Sequence, residues 1–481
     1  MKVTFLTPPT LVGKRPAERT AGCTHVVYLA PNIYELTVAA VVEQSGRHTA
    51  AVADFVYHRQ KPNHFDRFLT TDDSDVYAIW MVNLSVENDL AACERIHAMR
   101  PAARVMLMGP GATHYAERCL TDARVIVVRG EPELTALALL DALAGNSPLD
   151  GVEGLSWRDG DNIRHNPSRA LISNLDTLPF PARHFIADRS YYNPKLNARR
   201  YTTAVTSRNC PYGCIYCVPS SLTFAREIEH RRLHGRKPPV ALRSVENVEQ
   251  ELTLIRKMGY DGVGFMDDNF IWNETRTLAL CDILRRLGLA WGCQARVDAI
   301  TEPIARALGR SGCQYVDLGV ESFNDEILRY IGKGITSDQI TRAINLLKQY
   351  HVPVKLNILI GCSPLETPQT VADTLRRAKQ ADVDQVMFNI VSPFPGTEYY
   401  EICRKNGWLA TPTGEYQPSD VQRQSILNLP HLSARQMEQA LRRNNFSYFL
   451  SWAFVKRHAG RFSTPAQWGH ALRALRVKLF G

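Results

Sequence analysis

The sequence predicts an α/β protein in three parts: a Rossmann-like amino-terminal domain, a partial (β/α)6 barrel and a mostly helical carboxyl-terminal domain. Two observations predict this class. Apolar, strand-like runs alternate with helical patterns over residues 1–145, and the alternation resumes at about residue 199. At 481 residues the chain is also too long for one ordinary core. We place the domains at 1–145, 199–400 and 401–481, with a linker at 146–198.

The amino-terminal part contains five predicted strands. They are residues 2–7, 49–55, 76–82, 104–109 and 124–130, with helical patterns at 34–44, 88–99 and 132–143. Ligands of open α/β sheets bind beyond the carboxyl ends of the strands, so the loops that leave these strands are candidate contacts. The first loop, residues 8–32, is unusually long, the fourth contains Gly-Pro-Gly at 109–111, and the fifth begins Gly-Glu-Pro-Glu at 130–133. The linker carries a predicted hairpin with its turn at Asp159-Gly160.

The second series contains six predicted strands. They are residues 201–207, 262–268, 291–297, 315–322, 354–361 and 385–393, separated by helical patterns at 243–258, 274–287, 302–311, 337–350 and 367–380. Six strand–helix units predict a partial parallel barrel, whose chemistry belongs at the carboxyl ends of its strands.

The composition favours a cytoplasmic protein. Apolar residues make up 45% and charged residues 22%, and no run of about 18 apolar residues predicts a membrane span. The amino terminus, MKVTFLTPPT, is more typical of a first strand than of a signal peptide.

The net charge of +9 is concentrated at the end of the chain. No Asp or Glu follows Glu438, and eight basic residues do: Arg442, Arg443, Lys456, Arg457, Arg461, Arg473, Arg476 and Lys478. This pattern has three interpretations: a helical cap with a solvated basic face, a surface that contacts anionic membrane, or a nucleic-acid footprint.

Three of the eleven cysteines stand together. Cys210, Cys214 and Cys217 have the spacing C-x3-C-x2-C, whereas the other eight are scattered and are expected to be buried apolar residues. Thiolates bind zinc, copper(I) or iron–sulfur clusters, and both a structural zinc site and a ferredoxin cluster need four ligands. Three ligands in one loop therefore indicate an iron left open for another ligand. Zinc binding and chance proximity are the alternatives.

The segment CPYGCIYC (210–217) resembles the C-x3-C-x-aromatic-C signature of the radical SAM superfamily. The resemblance implies that the three thiolates hold a [4Fe–4S] cluster and that S-adenosylmethionine binds the fourth iron. One electron from the cluster then cleaves S-adenosylmethionine to a 5′-deoxyadenosyl radical. The resemblance identifies no catalytic acid or base.

Further motifs imply contacts with S-adenosylmethionine. MDDN (266–269) lies where the family has an amine contact, GVESF (319–323) resembles its Gly-x-Glu-Ser element, and Arg296 precedes it on the third barrel strand. The implied contacts are Tyr216, Asp267, Asp268, Asn269, Arg296, Glu321 and Ser322. The alternatives are a strand-end cap for the MDDN residues and a buried Arg296–Glu321 ion pair. The turns GCSPLET (361–367) and PFPGTEYY (393–400) are either scaffold or site.

The amino-terminal domain, with VVRGEPE, GLSWRDG and LDTLPFPAR, resembles that of B12-dependent radical SAM enzymes. The resemblance implies cobalamin contacts from the loops after strands three to five: Asn83, Ser85, Gly109, Gly111, Gly130 and Glu131. The chain has no Asp-x-His-x-x-Gly motif to supply a histidine ligand for cobalt. The long first loop is expected near the corrin or the substrate, through Arg15, Glu18, Arg19, Cys23 and His25.

The resemblance implies a methyltransferase acting on an unactivated carbon through the 5′-deoxyadenosyl radical and methylcobalamin. A cobalamin-dependent cyclase, oxygenase or rearrangement enzyme is the alternative within the family, and a basic nucleic-acid-binding protein is the alternative outside it. A methylthiotransferase needs a second cluster, for which Cys23, Cys93 and Cys119 are poorly spaced. We expect a small-molecule or lipid-like substrate, an external electron donor and no nucleic acid. A peripheral membrane contact through the tail stays open.

Overall fold

The computed structural model describes residues 1–13, 15–410 and 424–459. The contacts divide the chain into two compact units. The first contains Met1–Tyr191, Ser207–Pro211 and Val218–Ser244; the second contains Tyr192–Thr206, Tyr212–Cys217 and the described residues from Val245 onward.

The strands, in chain order, are β1 (Lys2–Thr7), β2 (Thr49–Asp54), β3 (Val76–Trp80), β4 (Arg104–Met108), β5 (Val125–Val128), β6 (Leu155–Asp159), β7 (Asn162–His165), β8 (Tyr201–Ala204), β9 (Ser207–Arg208), β10 (Ala241–Leu242), β11 (Gly262–Phe265), β12 (Ala290–Arg296), β13 (Cys313–Glu321), β14 (Val354–Ile360) and β15 (Gln385–Ile390).

The α-helices are α1 (Ile33–Gln44), α2 (Pro62–Thr71), α3 (Val86–Met99), α4 (Pro110–His114), α5 (Ala116–Cys119), α6 (Glu133–Ala144), α7 (Ser221–His234), α8 (Val245–Lys257), α9 (Glu274–Leu287), α10 (Glu302–Arg310), α11 (Asp325–Tyr330), α12 (Ser337–Gln349), α13 (Pro368–Gln380), α14 (Glu398–Lys405), α15 (Ala434–Phe449) and α16 (Trp452–Ala459).

The first unit is built on a seven-stranded sheet in the order β2-β1-β3-β4-β5-β6-β7. Strands β1 to β5 are parallel, as predicted, and β3, β4 and β5 are almost entirely buried, which explains their continuous apolar sequences. The predicted hairpin is present as β6 and β7, but it does more than link the domains. Strand β6 pairs antiparallel with β5, so the hairpin covers an edge of the sheet that would otherwise be unpaired.

Helix α7, directly after the cysteine motif, belongs to the first unit and packs on α4. Trp80 Nε1 at the end of β3 donates to Ser221 Oγ in the first turn of α7 at 3.0 Å. The sequence pattern does not predict this helix.

The second unit is built on a six-stranded parallel sheet in the order β15-β14-β13-β12-β11-β8. All six predicted strands are present, and the predicted helices between them are α8, α9, α10, α12 and α13. Burial alternates along β14: Val354, Leu356 and Ile358 are in the core that includes residues of α12 and α13, and the residues between them are only partly buried. One face of the sheet therefore packs on the helices.

The described carboxyl-terminal region is helical, as predicted, in α14, α15 and α16. Helix α15 packs on α13 and β15, and Tyr448 Oη accepts the amide of Val386 at 2.9 Å. The basic residues Arg461, Arg473, Arg476 and Lys478 lie outside the described residues. No helix among the described residues is both long and apolar enough to cross a bilayer.

Candidate active site

Three accessible cysteines lie on one loop between β9 and α7. Cys210, Cys214 and Cys217 form no disulfide and are partly exposed, whereas seven of the other eight cysteines are buried and Cys23 is partly exposed. Among the described residues, no three Cys, His, Asp or Glu side chains could together hold one metal ion. A set of three thiols fits an iron–sulfur cluster, in which each thiolate binds a different iron atom.

The start of this loop is held by a buried ion pair within the first unit. Arg208, two residues before Cys210, donates from Nη1 to Glu131 Oε1 at 2.8 Å and from Nη2 to Glu133 Oε1 at 2.6 Å. All three side chains are at least nine-tenths buried. Such pairs hold a backbone in place because breaking them leaves an uncompensated buried charge.

Both carboxylate oxygens of Glu131 have protein partners. Arg226 of α7 contacts Oε1 at 2.7 Å and also donates to Asn209 Oδ1, and the amide of Ile172 donates to Oε2 at 2.7 Å. The structure therefore gives the Glu131 carboxylate a positioning role at the cysteine loop. Its contact with cobalamin stays a prediction.

The second unit contributes a buried ion pair beside the cysteine loop. Lys333 Nζ lies 2.9 Å from Glu321 Oε1 at the end of β13 and 3.4 Å from Tyr216 Oη in the cysteine loop. Burial alone would lower the pKa of Lys333, but the charges of Glu321 and Cys214 and the hydrogen bond to Glu321 together outweigh burial and hold that pKa above its usual value. Lys333 therefore stays charged, and its contact fixes the position of the Glu321 carboxylate.

Sequence reasoning missed Lys333, although a local signal was present. Lys333 stands between Gly332 and Gly334, both with positive φ. A Cβ atom on Gly332 would lie 2.9 Å from the carbonyl oxygen of Gly213, so this turn packs closely on the cysteine loop. The glycine–lysine–glycine sequence in the connection between α11 and α12 was the available signal.

Arg296 is held near the same loop but does not pair with Glu321. Its guanidinium lies 3.5 Å from the ring centroid of Tyr212, makes two 2.9 Å contacts with Asp298 and donates to the carbonyl oxygen of Lys333 at 2.7 Å. The alternative of a buried Arg296–Glu321 ion pair is therefore wrong, because each residue has another partner. The guanidinium is part of the packing around the cysteine loop.

The three polar residues after β11 differ in their environment. Asp267 is fully buried and accepts from the amide and hydroxyl of Thr206, at 3.1 Å and 2.7 Å. Asn269 is also buried, and its Nδ2 donates to the carbonyl oxygen of Ile271. Asp268 is partly exposed. The contacts of all three residues with S-adenosylmethionine stay predictions.

Ser322 and the later turns have structural partners. Ser322 Oγ lies 3.1 Å from Thr374 Oγ1 and accepts the amide of Asn324, so it belongs to a buried turn. In the GCSPLET turn, Glu366 accepts three backbone amides, from residues 361 to 363, at 2.7 to 3.1 Å. In the PFPGTEYY turn, the Tyr399 amide donates to the carbonyl oxygen of Ile215 in the cysteine loop at 3.0 Å. Both turns act as scaffold.

The predicted cofactor loops of the first unit lie at the carboxyl ends of β3, β4 and β5. Asn83 and Ser85 are buried, and Ser85 Oγ bonds the Val82 amide and the Asp89 carboxylate. Gly109 and Gly111 permit close approach of two loops, because a Cβ atom there would meet backbone atoms of residues 81 and 82 at 2.6 to 2.9 Å. Gly130 has a φ of +71° and packs against Glu229 of α7. These residues shape the edge, and their cobalamin contacts stay predictions.

The long first loop folds over this edge of the first unit. Ala17 and His25 form a short antiparallel bridge, and Glu18 accepts the amides of Thr20 and Ala21. Arg19 is buried and donates to both oxygens of Asp89, at 2.6 Å and 2.8 Å. Arg15, Cys23 and His25 are partly exposed. Of the five predicted residues, Arg19 is thus tied most closely to the sheet.

Comparison with known proteins identifies the middle of the chain. The profile of the radical SAM superfamily matches residues 204–378, from the end of β8 through α13. This segment of the chain is a radical SAM domain. A radical SAM enzyme holds a [4Fe–4S] cluster and uses S-adenosylmethionine, and the three accessible cysteines fit that cluster.

Two curated relatives match this radical SAM enzyme along nearly all its length. An uncharacterized methyltransferase of Pyrococcus horikoshii is 29% identical over 456 residues, 94% of this chain and 93% of the relative. The cytidylyl-2-hydroxyethylphosphonate methyltransferase of Streptomyces wedmorensis is 24% identical, over 90% of this chain and 86% of its own. Both alignments extend well beyond the radical SAM domain.

Solved structures share the fold of both units. TsrM from Kitasatospora setae, a radical S-adenosylmethionine methyltransferase solved with cobalamin and a [4Fe–4S] cluster, gives a TM-score of 0.65 at 17% identity, over 91% of this chain and 80% of TsrM. OxsB, a cobalamin-dependent S-adenosylmethionine radical enzyme solved with aqua-cobalamin and S-adenosylmethionine, gives 0.71 at 13% identity, over 99% of this chain and 72% of OxsB. The predicted α/β architecture is confirmed.

Proposed function

We propose that this radical SAM enzyme is a cobalamin-dependent methyltransferase that acts on an unactivated carbon. The observation that carries the proposal is the joining, in one chain, of a three-cysteine radical SAM domain to an open parallel sheet whose polar and glycine loops leave its carboxyl edge. Relatives named methyltransferases match across both parts. A doubly wound sheet binds its ligand at that edge.

The residues of the chain divide the work between the two cofactors. Cys210, Cys214 and Cys217 hold the cluster, and Asp268, Glu321 and Arg296 stand around the place for S-adenosylmethionine. When bound, the cluster supplies the electron that cleaves S-adenosylmethionine and cobalamin supplies a carrier for the methyl group. Within the second unit the Lys333–Glu321 pair lies beside Tyr216 of the cysteine loop, and within the first unit the pairs of Arg208 hold the start of that loop.

The first unit suits cobalamin without a histidine ligand to cobalt. One feature of its edge favours a ligand there: Asn83 Nδ2 is buried and has no hydrogen-bond partner among the described residues. We also infer an external electron donor, because the proposed reaction consumes an electron at the cluster. The expected substrate is a small molecule or lipid-like.

A cobalamin-dependent cyclase is the second candidate. The anaerobic magnesium-protoporphyrin IX monomethyl ester cyclase of Rubrivivax gelatinosus is 24% identical over 69% of this chain and 59% of its own. A cyclase transfers no methyl group from S-adenosylmethionine to its product. Mass spectrometry of the product, with S-adenosylmethionine labelled in its methyl group, separates the two candidates.

The first experiment counts the cofactors. We expect the protein, purified without oxygen and reconstituted with iron, sulfide and hydroxocobalamin, to hold about four irons per chain and one cobalt. The triple variant Cys210→Ala, Cys214→Ala, Cys217→Ala should lose the iron. A matched control, Cys281→Ala, Cys293→Ala, Cys313→Ala, changes three buried cysteines and should keep it.

Two results would contradict the proposal in different ways. Iron without retained cobalt leaves a radical SAM enzyme but removes the cobalamin part. Iron that survives in the Cys210, Cys214 and Cys217 variant removes the assignment of the cluster ligands.

A further inference from the structure

A small polar cavity lies under the long first loop, within the first unit. It has a volume of about 50 Å³ and is bounded by the ends of β1 and β2, the start of α1 and residues 17–32 of the loop. Ligand pockets usually measure about 300–1,000 Å³, so this cavity fits one small group of a larger ligand. Its position at the carboxyl edge of the sheet is where such a ligand binds.

Not every ionisable group of the cavity has an ion-pair partner. Arg19 pairs with Asp89, and Arg189 lies 3.5 Å from Asp54. Glu35, on the first turn of α1, is only 4% exposed, and its one hydrogen bond from a side chain is a 3.4 Å contact from Asn32 Nδ2 to Oε2. Burial, followed by the charge of Asp54, raises the pKa of Glu35 to about 8. Glu35 is therefore a group without an adequate partner.

Four buried polar atoms of the lining residues have no hydrogen-bond partner among the described residues. They are Glu35 Oε1, Thr20 Oγ1, Arg19 Nε and Arg189 Nε. Buried polar atoms are nearly always satisfied by protein, water or ligand, so a cluster of four marks a place for another group.

The chemistry of these atoms selects the kind of group. A carboxylate oxygen accepts hydrogen bonds, the arginine nitrogens only donate, and a hydroxyl does both. An ammonium cannot accept hydrogen bonds from the arginine nitrogens, and a carboxylate has no hydrogen to donate to the acceptor oxygen that Glu35 keeps whether or not it is protonated. A primary amide has two N–H donors and one carbonyl acceptor, and it matches both sides of the cavity.

We propose that the cavity around Glu35 receives one primary amide side chain of cobalamin. The inference rests on the proposed function, because cobalamin carries several such amides around its corrin ring. Glu35 accepts from the amide nitrogen, and the Arg19 and Arg189 side chains lie on the side of the carbonyl oxygen. The long loop is then a part of the cofactor site that recognises the corrin periphery.

Binding of hydroxocobalamin and of its monocarboxylic acids tests the inference. Each acid has one amide of the corrin replaced by a carboxylate. We expect the wild-type protein to bind one isomer at least about tenfold more weakly than hydroxocobalamin, since a lost hydrogen bond beside a charged group costs roughly that factor. Dissociation constants come from equilibrium dialysis followed by absorbance, so the readout does not depend on turnover.

Variants at Glu35 complete the test. Glu35→Met removes the acceptor and should weaken binding of hydroxocobalamin about tenfold. Glu35→Gln keeps an acceptor oxygen, should retain most of the affinity, and should discriminate less against the carboxylate isomer. Glu94→Gln, at an exposed position on α3, is the control and should bind as the wild type does. Circular dichroism checks that each variant is folded.

The outcomes separate this inference from the proposed function. If the wild-type protein does not bind hydroxocobalamin, the proposed function fails. If it binds, but all isomers bind alike and Glu35→Met is unchanged within twofold, the cavity does not hold an amide. If Glu35→Met does not fold, the isomer series on the wild-type and Glu35→Gln proteins still decides.

Discussion

Glu35 shows how one residue can make the stability of the first unit depend on pH. Its carboxyl group is buried, and its pKa is raised to about 8 from an ordinary 4.5. Between pH 4.5 and about 8, Glu35 of the folded protein holds a proton that it has released in the unfolded chain. The free energy of unfolding therefore falls as pH rises through that window, and the loss is complete above the folded pKa.

We predict that Glu35→Gln removes this dependence. The amide that replaces the carboxyl group stays neutral at every pH, so the variant should gain stability relative to wild type as pH rises from 5 to 8, by at most about 1.4 kcal/mol per pH unit. Asp54, whose pKa is also raised by burial, is present in both proteins and cancels in the comparison. Urea unfolding at several pH values gives the measurement. Parallel profiles would show that Glu35 stays charged in the folded protein.

At the scale of elements, the end of β13 combines a side chain of the predicted cofactor site with an unusual backbone. Glu321 has a φ of +65°, and the register between β13 and β14 shifts between Gly319 and Glu321. An L-residue in this conformation costs about 1 kcal/mol or more, which glycine avoids. The same residue makes the buried ion pair with Lys333, so a locally unfavourable backbone accompanies that pair.

We predict that Glu321→Gly is more stable than Glu321→Ala by about 1 kcal/mol. Both changes remove the carboxylate and leave Lys333 without it, so their difference isolates the backbone. The same pair at Glu326, in the first turn of α11, is the control and should show the opposite order, because glycine disfavours a helix. Equal stabilities of Glu321→Gly and Glu321→Ala would mean that the positive φ at this position carries no strain.

The elements that the sequence predicted are those with local signals. The parallel strands are continuous apolar runs, and the three cysteines form a short motif. Helix α7 was missed because several of its buried positions are charged: Arg226 and Glu229 have ion-pair partners that lie far away in sequence. Such a helix lacks the apolar stripe by which helices are recognised. The Lys333–Glu321 pair and the pairing of β6 with β5 also depend on distant partners.

At the scale of the whole molecule, the charge of the chain is strongly uneven. Eight Lys and Arg residues follow the last acidic residue, and they nearly equal the net charge of +9. Just before most of them, the described residues Leu450, Trp452 and Val455 are exposed by 58%, 77% and 44%. Tryptophan and aliphatic side chains beside basic residues are typical of proteins that lie on anionic membranes.

We therefore predict that the full chain sediments with vesicles that contain anionic lipid and not with neutral vesicles. Added salt should release most of it, because each basic residue near the surface contributes about 1 kcal/mol that salt screens. The double variant Leu450→Ser, Trp452→Ser keeps every charge and should bind more weakly at equal salt. Its control, Leu233→Ser, changes an exposed leucine on α7 and should not. If the chain binds RNA but not vesicles, the basic end is a nucleic-acid footprint. If it binds neither, the basic end is a solvated surface.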